Sequence, residues 1–246
     1  MIIGSNIIYR EKVSSTNELA AEMLKDNSPS EGTVIFAGEQ LHGKGQRGNK
    51  WISEAGKNLT FSIILYPDFL QSDQQFMISK VISISILELL DKYSDSISIK
   101  WPNDIYHKDD KIAGILIEYS LEGNKIQHCI AGAGININQF NFPPDIPNPV
   151  SLNIINHQEY DTGIILAEFC RICDYWYKEL VDGQVETINT QYHNNLYRLN
   201  INTGFITHEG PLKGRITGVD TFGRILIDHE NGNKGIYGFR EIEFNN

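Results

Sequence analysis

Gly43-Lys44-Gly45-Gln46-Arg47-Gly48-Asn49-Lys50-Trp51 is the stretch on which the fold turns. Three glycines, three cations and an indole between two apolar, strand-like runs are poor core material and suit a loop that folds around a phosphate-bearing ligand. Read with the residues before it, Gly38-Glu39-Gln40-Leu41-His42-Gly43-Lys44-Gly45 fits G-x-x-x-x-G-K-[ST] except at the last position, where glycine replaces the hydroxyl that holds magnesium. Gly43, Gly45 and Gly48 also spell G-x-G-x-x-G after the strand-like segment Thr33 to Gly38. Both motifs need a helix N-terminus aimed at the phosphate. Here polar residues from Asn49 to Lys57 lead instead into another strand-like run, Leu59-Thr60-Phe61-Ser62-Ile63-Ile64-Leu65. The loop therefore reads as a flap between strands whose Lys44, Arg47 and Lys50 meet a ligand's anionic groups, with a solvated loop of incidental charge as the competing reading.

Outward from the flap, hydrophobic periodicity predicts a strand over Ile7 to Val13, then Ser15-Thr16-Asn17-Glu18 as a capping box opening a helix from Glu18 to Lys25. Strands follow at Thr33 to Gln40 and Leu59 to Tyr66, with a long helix from about Asp73 to Tyr93. Ile97 to Trp101, Lys111 to Tyr119 and Lys125 to Gly134 read as strands joined by polar turns. A proline-rich stretch, Phe142 to Pro149, leads to helices from about Thr162 to Val181 and Gln184 to Asn195. From about Ile201 the chain breaks into short apolar runs punctuated by glycine, as expected of a small barrel of about five strands. A boundary near Leu199 divides the chain into residues 1–199 and 200–246.

Composition bounds the rest. The 246 residues are 41% hydrophobic and 10% aromatic, ordinary values for a folded soluble domain, and the start Met1-Ile2-Ile3-Gly4-Ser5 lacks the character of a secretion signal. A cytosolic protein without a membrane span is the expectation. The net charge of −10 disfavours nonspecific binding to nucleic acid or anionic membranes. Three cysteines build no disulfide framework, and Cys170 with Cys173 sits within a helical pattern, so buried thiols are expected there rather than zinc.

Two segments look like pocket walls. In Ile130-Ala131-Gly132-Ala133-Gly134-Ile135-Asn136-Ile137-Asn138, strand alternation puts Ala131, Ala133, Ile135 and Ile137 on one face and Gly132, Gly134, Asn136 and Asn138 on the other, leaving that second face hollow for a ligand, unless the segment is a strand ending in a glycine bulge. In Ile97-Ser98-Ile99-Lys100-Trp101-Pro102-Asn103-Asp104, the proline forces a turn that brings a cation, an amide and a carboxylate together, unless the segment is a plain turn with a surface ion pair.

Ser15-Thr16-Asn17, Gln40 with Gly43 to Trp51, Lys100-Trp101-Pro102-Asn103-Asp104, Lys111-Ile112-Ala113-Gly114-Ile115-Leu116-Ile117-Glu118 and Gly132-Ala133-Gly134-Ile135-Asn136 occur in an order that resembles the biotin protein ligases. The resemblance implies an α+β fold: a mixed β-sheet flanked by helices, related to class II aminoacyl-tRNA synthetases, with a small C-terminal SH3-like β-barrel. It implies biotin, ATP and Mg2+ as cofactors and substrates, and two half-reactions. Biotinyl-5′-adenylate forms first, and the acyl group then passes to one lysine of a biotin carboxyl carrier protein. It places Ser15, Thr16, Asn17 and Gln40 at the biotin head group, with Lys44, Gly45, Gln46 and Gly114 closing over it and Lys111 at the carboxylate. Arg47, Asn49, Trp51, Lys100, Asn103 and Asn136 would surround the nucleotide, and Asp104 would position magnesium or the incoming lysine. Lys44, Gln46 and Asn49 stand where family members often have arginine, so weaker retention of the intermediate is expected. The C-terminal segment Phe239 to Phe244 shows no clear counterpart to an arginine that some members use near the nucleotide, and it contributes no residue to this predicted site. Because the chain begins almost at the first catalytic strand, no DNA-binding domain and no repressor role are expected; a homodimer through an exposed sheet edge is left open. Lipoate or octanoate transfer on the same fold, and nucleotide binding without turnover, are the alternatives.

Overall fold

The computed structural model describes residues 1–26 and 28–245, with Arg47 described by its backbone alone. A seven-stranded sheet is built from β1 (Ile7–Val13), β2 (Thr33–Gln40), β3 (Leu59–Leu65), β4 (Ile97–Lys100), β5 (Asp104–His107), β6 (Asp110–Glu122) and β7 (Lys125–Ile135). Their order is β1-β2-β3-β7-β6-β5-β4, with β1 and β2 parallel and every other pairing antiparallel. Helices α1 (Thr16–Asp26), α2 (Phe76–Leu90), α3 (Leu152–Asn156), α4 (Thr162–Val181) and α5 (Val185–Asn194) flank it. The chain ends in a five-stranded antiparallel sheet of β8 (Asn202–Thr207), β9 (Gly210–Val219), β10 (Ile225–His229), β11 (Lys234–Tyr237) and β12 (Ile242–Phe244), which fits the small barrel expected there. Among the described residues no helix is long and apolar enough to cross a membrane.

Period-two alternation decides which sheet face is core and which carries the site. On β3, Leu59, Phe61, Ile63 and Leu65 join the main core; on β7, Cys129, Ala131, Ala133 and Ile135 do the same. The core's helical side comes from α2, whose apolar residues are nearly all buried, and from the inward face of α4. Ile35, Ile64 and Ile130 point to the opposite face, where Ala20 of α1 closes a smaller apolar cluster. Gly132 and Gly134 lie further along that second face and line the cleft described below, while Ser62 beside them bonds Thr16 and Asn17. Cys129, Cys170 and Cys173 are buried free thiols, and burial pushes the Cys170 thiol up to about 12.

The elements depart from expectation where local hydrogen bonds outweigh periodicity. The long helix is shorter than Asp73 to Tyr93: Gln71 and Gln74 cap each other around a 3-10 turn, Ser72–Gln74, before α2 begins at Phe76. Asp104 opens a strand of its own, β5, so Trp101, Pro102 and Asn103 are the turn of a β4–β5 hairpin, with the Trp101–Pro102 peptide cis. Helix α3 arises after the proline-rich stretch because Ser151 Oγ accepts from Ile154 N and caps it, a signal hidden in a segment with no periodicity.

Candidate active site

The cleft opens over the glycine positions of β6 and β7, with α1 at one end and the β4–β5 hairpin at the other. Ser15, Thr16, Asn17, Gln40, Lys44, Gly45, Gln46, Asn49, Trp51, Lys100, Asn103, Asp104, Lys111 and Gly114 all line one cavity of about 350 Å³. The side chain of Arg47 lies outside the described residues. Asn136 is 4% exposed and is absent from the cavity wall. Its amide donates to Val150 O at 3.0 Å and its backbone N–H to Ile112 O at 2.8 Å. Pairing of β7 with β6 ends at Ile135, and Asn136 beyond it ties the sheet to the strap around Asn148–Val150 rather than facing the cleft.

At the α1 end Ser15, Thr16, Asn17 and Ser62 are buried, and a hydrogen-bonded network links Thr16, Asn17 and Ser62 to the half-buried Gln40 and the exposed Glu118. Gln40 Oε1 accepts from Thr16 N at 2.8 Å and Thr16 Oγ1 at 3.1 Å, while Asn17 Nδ2 donates to Glu118 Oε2 at 2.7 Å. Ser62 Oγ lies 2.7 Å from Thr16 Oγ1 and 2.6 Å from Asn17 Oδ1. Such a network costs little when satisfied and fixes each rotamer, which is how a site presents amides and hydroxyls to a polar ring system without spending its own order on binding. The hollow above Gly132 and Gly134 is used by the protein itself. A Cβ at Gly132 would collide with Asn17 Oδ1, and one at Gly134 with the Trp51 indole, which also lies against Gly114.

The flap is pinned at both ends of its tip. Lys44 and Lys50 form an antiparallel bridge, Gly45 N donates to Asn49 O at 2.7 Å and Trp51 N to Gly43 O at 2.8 Å. Lys44 Nζ sits 2.9 Å from Glu18 Oε1, so the tip is latched to α1 by an ion pair; the Ser14 hydroxyl and Lys44 together hold the Glu18 carboxyl below its usual range. In this arrangement Gln46 Oε1 and Trp51 Nε1 are buried polar atoms without a partner, on residues that line the cleft.

At the hairpin end the cations gather. Lys111 Nζ lies 2.7 Å from Asp104 Oδ1 and 5.9 Å from the Trp51 ring centroid. Its backbone is clamped by Asn148 O, accepting from Lys111 N at 2.7 Å, and by Val150 N, donating to Lys111 O at 3.0 Å. Asn103 Nδ2 donates to Ile115 O at 2.9 Å, holding the hairpin turn against β6. Lys100 Nζ donates to Tyr106 Oη at 3.0 Å. The Asp104 carboxylate is engaged by Lys111, and among the described residues no group of three His, Cys, Asp or Glu side chains gathers around it.

The cleft has walls the sequence reading left out. Phe239, Ile242, Glu243 and Phe244 line it from the C-terminal sheet, correcting the expectation that this segment contributes nothing. Ser62 and Glu118 stand behind Thr16 and Asn17. Ser62 was visible as the one hydroxyl amid Phe61 and Ile63, and Glu118 as the acidic end of the Lys111 motif; nothing local marked Phe244.

Similarity to known proteins follows this geometry. The bifunctional ligase/repressor BirA of Bacillus spizizenii is 28% identical over 241 residues, which cover 96% of this chain and 73% of the relative. The human biotin--protein ligase is 26% identical, covering 94% of this chain and 33% of that one. Among solved structures, the biotin protein ligase from Aquifex aeolicus in complex with biotin and ATP superposes with a TM-score of 0.81 at 27% identity, covering 97% of this chain and 98% of its own. Residues 9–136, just over half of the chain and the part that holds the flap, both lysines and the glycine floor, match the Biotin/lipoate A/B protein ligase family, and the chain belongs to that family.

Proposed function

We propose that this protein is an ATP-dependent biotin–protein ligase that makes biotinyl-5′-adenylate and then biotinylates one lysine of a biotin carboxyl carrier protein. The observation that carries the reading is the single cleft whose one end is a satisfied amide and hydroxyl network and whose other end is a pair of lysines, bridged by a latched glycine flap. The first end suits the ureido ring of biotin and the second the anionic groups that react.

In the first half-reaction a carboxylate oxygen of biotin attacks the α-phosphorus of ATP, a new P–O bond forms, and pyrophosphate leaves. In the second, the carrier lysine's amine attacks the acyl carbon, AMP leaves, and the amine's proton goes to solvent. Neither step needs an enzyme nucleophile, so the protein's contribution is alignment and charge stabilisation. Lys111, clamped by backbone on both sides and oriented by Asp104, is placed to neutralise the carboxylate and then the mixed anhydride. Lys100 supports the phosphates, and Trp51 with Asn49 lies beside the nucleotide. Magnesium enters with ATP as part of the substrate.

The test is pyrophosphate exchange into ATP. Exchange that depends on biotin, and fails with lipoate or octanoate in its place, supports the reading; exchange without biotin, or none at all, overturns it.

A further inference from the structure

The two lysines of the cleft are held in opposite ways. Lys111 has a carboxylate at 2.7 Å, so much of its charge is met within the protein. Lys100 has no carboxylate at ion-pair distance among the described residues, because Asp104, its partner across the β4–β5 pairing, bonds Lys111 instead. Aromatic rings surround it. Besides the Tyr106 hydroxyl, the Lys100 ammonium lies 4.4 Å from the Tyr106 ring centroid, 4.9 Å from that of Phe244 and 5.6 Å from that of Tyr197. The rings brace one another: Tyr106 and Tyr197 centroids are 5.3 Å apart, Tyr197 and Phe244 5.7 Å, and Phe244 and Phe205 5.3 Å. Tyr197 is fixed further by donating to Asp109 Oδ1 at 2.5 Å, and Arg198 Nη2 meets the same oxygen at 3.1 Å.

A ring face attracts an ammonium without cancelling its charge, whereas a carboxylate does both. Lys100 is therefore positioned yet still able to meet an anion entering the cleft it lines. Its burial pulls its pKa below the ordinary lysine value; Asp104 and Asp109 act in the opposite direction, while Arg198 and Lys111 add to the lowering. An incoming anion relieves that cost. The rings also come from three separate places: Tyr106 from β5, Tyr197 from the segment after α5 that bonds β4 through Ile99, and Phe244 from β12.

We propose that Phe244, with Tyr106 and Tyr197, is a positioning residue that holds the Lys100 ammonium uncancelled at the cleft wall, where it binds the phosphate groups of the nucleotide. The last strand of the C-terminal sheet is thereby part of the nucleotide half of the site. The proposal rests on the ligase reading for the identity of the nucleotide and on geometry for the cage.

The experiment uses the full chain as wild type, Phe244→Leu and Phe244→Trp. In protein labelled with [ε-13C]lysine, with the signal assigned by Lys100→Arg, the Lys100 resonance is ring-current shifted in wild type, moves toward the ordinary lysine position in Phe244→Leu and is shifted again in Phe244→Trp. Calorimetry with inorganic pyrophosphate gives about tenfold weaker binding for Phe244→Leu and recovery within about twofold for Phe244→Trp, the scale of one partly desolvated cation–π contact. Biotin affinity is the same in all three. In pyrophosphate exchange the KM for ATP rises by the same factor while kcat holds. An unshifted Lys100 signal in wild type, unchanged pyrophosphate affinity in Phe244→Leu, or biotin and pyrophosphate affinity falling together would overturn the cage. A wild type with no biotin-dependent exchange would end the ligase reading, while the resonance and pyrophosphate measurements would still decide the cage.

Discussion

At Gly132 one methyl group separates a working floor from a blocked one. Its backbone is ordinary for any residue, but a Cβ there meets Asn17 Oδ1, which is fixed by Ser62. Gly132→Ala should weaken biotin binding by at least about tenfold and also lower the melting temperature, because the displaced Asn17 is buried and bonded to Ser62; calorimetry with biotin and a melting scan check it. Asp104→Asn removes the anion that orients Lys111 and should slow both half-reactions by about 10²-fold, the usual scale for one lost electrostatic contact at a reacting centre. Full rates in exchange and in single-turnover transfer would refute that role. Gln46 faces the cleft with a buried, unpartnered Oε1, so Gln46→Arg exchanges an unsatisfied acceptor for a cation beside an anionic intermediate. Release of preformed adenylate, followed by dilution chase, should slow by roughly tenfold, the worth of one charged hydrogen bond. Most of these residues were legible one by one, since polar side chains and glycines interrupting apolar runs are visible without a structure. Asn136 was legible as unusual but not as structural, because its partner Val150 enters from a segment with no pattern of its own.

Elements hold the site by a few cross-chain bonds. Helix α4 anchors the N-terminus through Asp174, whose Oδ1 accepts from Ile3 N at 3.0 Å and from Ile2 N, and whose Oδ2 meets Lys178. Burial alone would raise this carboxyl's pKa, but Lys178 and the two amides outweigh it and hold the value below the usual one. A depressed folded pKa contributes stability that is complete above the unfolded value of about 3.9 and is lost as pH falls through the folded value. Asp174→Asn should therefore cost about 1.5–3 kcal/mol at neutral pH, and the difference from wild type should shrink in acid. Denaturant titrations at pH 7 and below pH 3 decide it, and a pH-independent difference would contradict the assignment. Element types were readable from period and caps, yet β5 and α3 were not. A four-residue strand beside a proline turn and a five-residue helix carry too little repeat for periodicity to show.

For the molecule as a whole, the seven-stranded sheet and the C-terminal sheet meet at Trp101. Its Nε1 donates to Gly223 O at 2.8 Å and its ring packs edge-on to Phe239 at 6.4 Å. Trp101→Phe keeps the apolar contact and loses the hydrogen bond, so it should lower stability by about 1 kcal/mol, read from the denaturant midpoint with an unchanged slope. A larger loss with a changed slope would mean that the two sheets part independently. By itself the sequence determined most of the strand and helix alternation, the two sheets, the glycine flap and the two glycines of the cleft floor, because each is written in local spacing and backbone freedom. Only the tertiary structure decided that Asp104 pairs with Lys111 rather than Lys100, that the Asn136 amide bonds Val150, and that Phe244 closes a cage over a lysine 144 positions earlier. Those outcomes depend on which side chains of distant segments reach one volume first, a competition that register and packing settle and that no local pattern records.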